Sequence, residues 1–201
     1  FPTSVRREGV ETVADDPAIP EGWIEFVPRS GGAVFRDGDM VWTDTGAAFN
    51  HYSADIQRNM PVSGKMTDKQ RKLYNIALDV QKTVISMVRP GVTWWELHDK
   101  AIEMLREAGG YDEDYYYGIG HFIGMEVHDE GDYLVPLEAG MVLSIEQGVM
   151  PPEGPRIAFE DDVLVTDDGH EWLSRIIPIE PDEVEKLSSQ ASEFDDFIEA
   201  R

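Results

Sequence analysis

Cysteine is absent from the 201 residues. Disulfides, thiolate metal sites and a cysteine nucleophile are thereby excluded together. Any bound metal must be held by His, Asp or Glu, a donor set that favours harder divalent ions over thiolate-bound zinc. Positive charge is scarce: 17 Lys and Arg stand against 40 Asp and Glu, giving a formal net charge of −23. A nucleic-acid partner would meet strong repulsion and finds no Lys/Arg cluster to land on, and an acidic membrane surface fails as a partner for the same reason. Long apolar runs are also missing. No stretch approaches the ~20 apolar residues a membrane span requires. The opening residues FPTSVRREGVETVADDP lack the basic-flanked apolar core of a signal peptide, and a cytoplasmic location is expected.

The remaining composition, 41% hydrophobic, is enough for one substantial core. The acid excess reads mainly as a solubilising surface, with room for some acids to be ligands. Residues 1–37 carry Pro17, Pro20, Pro28 and the pair Gly31-Gly32 and show little helical periodicity, so they read as an irregular lead-in with a short strand near Trp23–Val27. Strand-like segments follow from Met40 to Met60. Thr67, with Gln70 three residues on, opens a helix carrying Leu73, Ile76, Ala77, Val80, Val84 and Met87 at helical spacing, and Pro90-Gly91 stops it. Thr93 with Glu96 opens a second helix along Leu97, Ala101, Met104, Leu105 and Ala108, ended by Gly109-Gly110. YYYGIGHFIGMEVHDEG, MVLSIEQGVM and RIAFEDDVLVTDDG return to strand patterns, EWLSRIIPI reads as one more, and residues 181–201 as a short helix with an acidic tail. Strands, then two helices, then strands make an α+β layout.

Five segments each place one metal-competent residue among apolar neighbours: Asp44, Asp55, His121, Glu146 and Glu160. Buried carboxylates are costly unless paired or bound to a cation. Taken singly, each has a plain explanation. An Asp before Thr-Gly is ordinarily a turn residue, and a His after Gly is ordinarily a packed one.

As a set they resemble the motifs of the pita-bread metallopeptidases. DTGAAFNHYSADIQRNMPVSGK is similar to the family's first metal motif, GIGHFIGMEVHDEG to its His motif, PLEAGMVLSIEQGVM to its first Glu motif and FEDDVLVTDDGHEWLS to its second. All four stand in family order over roughly residues 38–180, and RPGVTWWELHDKA and VPLEAGMV are closest to the aminopeptidase P and prolidase branch. The resemblance implies a pita-bread fold, a curved antiparallel sheet covered by helices, with residues 38–180 as its catalytic domain. It implies two divalent ions, Mn²⁺ before Co²⁺, Zn²⁺ or Fe²⁺. Asp44 would hold one ion, Asp55 and Glu160 would bridge the pair, and His121 and Glu146 would complete the other. A metal-bridged hydroxide would attack the peptide carbonyl, with Glu146 taking its proton and His128 donating to the developing oxyanion. The implied substrate is a proline-containing peptide, cut before proline at its amino end or as an Xaa-Pro dipeptide. A homodimer or higher homo-oligomer is implied as well. His51, His98 and His170 receive no role, and Trp94-Trp95 reads as core.

Three departures from the family pattern keep alternatives open. Tyr117 stands where many relatives carry a His, and Ala158 where they carry an Arg, the nearest being Arg156. Tyr117 and Arg156 are therefore carried as substrate-side candidates. Residues 1–43 contain no His and no convincing long helix, so the chain is expected to be the carboxy-terminal piece of a longer product, the remainder being cleaved away, disordered, or supplied by another chain that associates with it. The alternatives are a metal-dependent hydrolase or lyase of a small non-peptide compound on the same fold, and a non-catalytic binding module.

Overall fold

The computed structural model describes residues 35–113, 115, 118–149, 151 and 155–190. The expected strand at Trp23–Val27, residue Tyr117 and the acidic tail lie outside them. The chain divides into two units, residues 1–36 and residues 37–201, and every element below belongs to the second.

Among the described residues, eight strands, three α-helices and one 3₁₀ turn make an α+β fold: β1 (Met40–Thr45), β2 (Ala48–Phe49), β3 (Tyr52–Ser53), β4 (Ile56–Pro61), α1 (Asp68–Met87), α2 (Trp94–Gly109), β5 (Gly120–Phe122), β6 (Val142–Val149), β7 (Ile157–Val165), β8 (His170–Trp172), the 3₁₀ turn Leu173–Ile176 and α3 (Pro181–Ser188). Six strands form one sheet in the order β1-β4-β7-β6-β5, with β8 also paired to β7, and every pairing is antiparallel. β5 to β8 thus pair in chain order, whereas β4 joins β1 to β7, which is distant in sequence. The β2–β3 hairpin stands apart as a small ribbon.

Both long helices begin where the sequence signals them. Thr67 and Gln70 close a reciprocal capping box at α1, as do Thr93 and Glu96 at α2. Gly110 ends α2 at φ 78°, in the left-handed region where glycine is least strained. The apolar stripe of α1 packs on β6 and β7 and against α2. Tyr74 meets Phe159 of β7 edge-on at 4.8 Å, and its hydroxyl donates to Ile179 O at 2.8 Å. Leu73, Ala77, Val84, Leu97, Ile145 and Phe159 all belong to one continuous buried cluster.

Three expectations are corrected. EWLSRIIPI is not a strand throughout. Pairing with β7 ends at Trp172, and Leu173–Ile176 turn into a 3₁₀ segment whose Ser174 hydroxyl donates to buried Asp161. Among the described residues of the aromatic stretch from Tyr115, three, Gly120–Phe122, join the sheet. Tyr115 instead turns its hydroxyl to Gly118 O and to Gln147 Oε1. Trp94 is buried edge-on against Phe122, as a core residue should be, while Trp95 is 60% exposed.

Candidate metal centre

Side chains of a strand alternate between faces, and antiparallel partners share a face. The sheet register therefore sorts the sequence candidates by itself. Asp44 pairs Gln57, Gln57 pairs Glu160 and Glu160 pairs Glu146, so one transverse row crosses β1, β4, β7 and β6. Two residues along, on the same face, Asp162 pairs Ser144 and Ser144 pairs His121. Asp55, two residues before Gln57, faces Asp162 and presents its backbone N–H to both carboxylate oxygens at 3.3 Å. All five metal-competent residues from the sequence thus lie on one sheet face in two adjacent rows.

Three of the five side chains converge most closely. Single ligand atoms of Asp55, His121 and Glu160 all lie within 4.8 Å of one another. His121 Nε2 is 3.3 Å from Glu160 Oε1 and 3.9 Å from Asp55 Oδ2. Its Nδ1 faces Phe122 O at 3.0 Å, which orients the ring with Nε2 toward the carboxylates. The carboxyls of Asp44 and Asp55 stand close enough to alter each other's proton affinity, and the Gln57 side chain acts on that of Asp44. Glu160 and His121 are buried, Asp55 and Glu146 half-buried, and Asp44 sits at the open edge. Glycine makes this closeness attainable. A Cβ on Gly46 would fall 1.9 Å from Ala54 O, and one on Gly120, at φ 145°, 1.9 Å from Ser144 O. The strands carrying Asp44 and His121 could not lie so near with larger residues there.

Crowding acids without a cation raises their proton affinity. Burial, then the charge of Glu160, pushes Asp55 up to about 8. The same two causes lift Glu146 to about 7 and raise Asp44 from its ordinary value. Burial lifts Asp162 to about 6. For His121 burial acts downward, but the hydrogen bond to Glu160 and the surrounding carboxylates outweigh it and hold the ring up at about 9. A set of carboxylates that resist ionising together, with one imidazole among them, is the donor set that a divalent cation makes mutually tolerable. The residues present fit such an ion.

Of the substrate-side candidates, His128 is exposed and its ring packs on that of His121, centroids 4.2 Å apart. Burial, then the charge of His121, lowers its pKa and favours the neutral form. Arg156 is exposed just ahead of β7, and Ala158 is buried within that strand. His170 instead turns Nδ1 to Val88 O at 3.0 Å, beneath the end of α1. Three residues of the face went unnoticed in the sequence: Gln57, Ser144 and Asp162. Ser144 donates to Glu160 Oε1 at 2.6 Å. Parity was the available signal, since Ser144 lies two residues before Glu146, and Asp162 two after Glu160.

An α+β sheet that gathers carboxylates and one imidazole on a single face defines the class, a pita-bread protein with a carboxylate–histidine centre. The chain belongs to metallopeptidase family M24, whose profile matches residues 14–167. It is 35% identical to the Xaa-Pro dipeptidase of Pyrococcus furiosus over 178 residues, covering 85% of this chain and 50% of that protein. It is 32% identical to the Xaa-Pro aminopeptidase of Escherichia coli K12, covering 76% of this chain and 41% of that one. Zinc-substituted Escherichia coli aminopeptidase P in complex with product superposes with a TM-score of 0.74 at 29% identity, over 81% of this chain and 44% of that one. The chain thus spans about half the length of the curated relatives it matches. Among the described residues no helix is long and apolar enough to cross a membrane.

Proposed function

We propose that residues 38–180 are the catalytic domain of a peptidase that binds two divalent ions and cleaves the bond before proline at the amino end of peptides or in Xaa-Pro dipeptides. The observation that carries this reading is the pair of adjacent rows that brings Asp44, Asp55, His121, Glu146 and Glu160 to one sheet face. Those five would hold the ions, with Mn²⁺ the first expectation and Co²⁺, Zn²⁺ or Fe²⁺ compatible with the same donors. Ions held there lower the proton affinity of water and polarise a carbonyl oxygen.

The chain's own residues supply the rest. Glu146, beside the site where water would be held, would take and return the proton of the attack. His128, whose ring packs on that of His121, would donate a ring N–H to an oxyanion on the open side of the cage. Proline lacks an N–H and has a fixed φ, so a pocket shaped to its ring selects it. Tyr117 and Arg156 are the substrate-side candidates. The names of the relatives support a peptide substrate, and we read the active form as a homodimer or higher oligomer.

The test is turnover of Xaa-Pro dipeptides and X-Pro-containing peptides beside small amidines and osmolytes, with added Mn²⁺. Release of the residue before proline is expected. Turnover of the small compounds alone overturns the peptidase reading, and metal binding with no turnover leaves a binding module in its place.

A further inference from the structure

Behind the cage, on the helix-covered face of the sheet, lies a second polar cluster. Arg58 of β4 and Asp161 of β7 form a buried ion pair, Nη2 to Oδ1 at 2.6 Å. Arg58 Nη1 donates to Gln57 O and Glu160 O, each at 2.8 Å, and Nε to Pro178 O at 3.2 Å. Asp161 also accepts from Ser174 Oγ at 2.5 Å and from Gln81 Nε2 at 3.1 Å. The same Gln81 amide reaches Ile145 O at 2.6 Å. All four side chains are buried.

The place of this cluster matters more than its charge. β4 and β7 share a single registered pair, Gln57 with Glu160, whereas β6 and β7 share eight. Pairing alone therefore fixes β4 weakly against β7, at the seam where Asp55 must meet Glu160. The guanidinium grips the carbonyls of both residues of that one pair. Gln81 grips β6 at Ile145, directly beside Glu146. From behind, β7 is held at Glu160, β6 next to Glu146, and β4 at Gln57, two residues after Asp55. Stability alone does not call for charge here, because replacing a buried ion pair by apolar residues of similar volume is often neutral or stabilising. What the guanidinium adds is a rigid planar fan of donors able to serve two strands at once.

We propose that Arg58 and Asp161 are positioning residues for the metal cage, setting the spacing of Asp55 from Glu160 across the β4–β7 seam. The proposal rests on the reading of that cage as a metal centre. Lysine at position 58 keeps the charge opposite Asp161 but lacks the planar span needed for both carbonyls and the carboxylate. The full chain should therefore be compared as wild type, R58K, the double variant R58M/D161L and a surface control, R71A, by metal-free melting and by calorimetric titration with Mn²⁺. R58K and the double variant should bind Mn²⁺ about 10- to 100-fold more weakly, the range seen when groups supporting metal ligands are lost. The double variant should melt metal-free at or above wild type, and R71A should bind as wild type does. Wild-type affinity in R58K overturns the proposal, as does an equal loss in R71A, which would mark general loosening. If the double variant does not fold, R58K decides alone. A wild-type chain that binds no Mn²⁺ defeats the metal-centre reading itself, a different outcome from ion binding that is indifferent to residue 58.

Discussion

Glu146 and His128 occupy different depths of the site, and their variants should separate binding from chemistry. His128 lies against His121 on the exposed side, so His128→Ala should leave Mn²⁺ content unchanged. It should lower kcat about 10²- to 10³-fold, as expected for losing one oxyanion donor; unchanged kcat would return it to a surface histidine. Glu146→Gln removes a proton acceptor from the half-buried row and should cost about 10²-fold or more in kcat, with weaker ion binding besides. The titrating groups give a third expectation. Asp55 is raised from 3.8 to about 8 and His121 from 6.5 to about 9, so the folded metal-free chain binds these protons more tightly than the unfolded chain does. Their stabilisation is complete below the ordinary values and is lost as pH rises through the raised ones. The metal-free melting temperature should fall between about pH 4 and pH 9, and saturating Mn²⁺ should flatten that fall. Asp55→Asn should remove part of the slope; an identical slope in Asp55→Asn contradicts the assignment. The five ligand candidates were legible because each stands in a motif. Gln57, Ser144 and Asp162 were not, because an amide, a hydroxyl or an acid in a strand has no chemical signature until the register places it beside the ligand candidates.

Among the elements, the helices were read closely and the sheet was not. Helical spacing, capping boxes and Pro-Gly or Gly-Gly stops are local signals, and α1 and α2 begin after Thr67 and Thr93 as those signals require. Thr93→Ala should cost about 0.5–2 kcal/mol by chemical denaturation; no change would mean that the cap is replaced by solvent. Strand order is a long-range property. Nothing local indicates that β4 pairs β1 and β7, or that β7 lies between β4 and β6. Nor does composition mark where the three-residue β5 begins. Gly120 is the element-scale test of that packing. With φ at 145° and Ser144 O where a Cβ would lie, Gly120→Ala should destabilise by more than about 1 kcal/mol. It should also weaken ion binding by displacing neighbouring His121. Wild-type stability and affinity in that variant would show that β5 can move away from β6 at no cost.

For the whole molecule, the central claim is that folding turns four separated carboxylates and one imidazole into a single cage. A formal charge of −23 supplies long-range attraction for cations, but it does not say where they settle; the sheet register does. The most direct measurement is anomalous scattering from crystals of the full chain grown with Mn²⁺. Two peaks within ligand distance of Asp44, Asp55, His121, Glu146 and Glu160 are predicted. Manganese bound only at the acidic surface, or no ordered ion at that face in a crystal saturated with Mn²⁺, would contradict it.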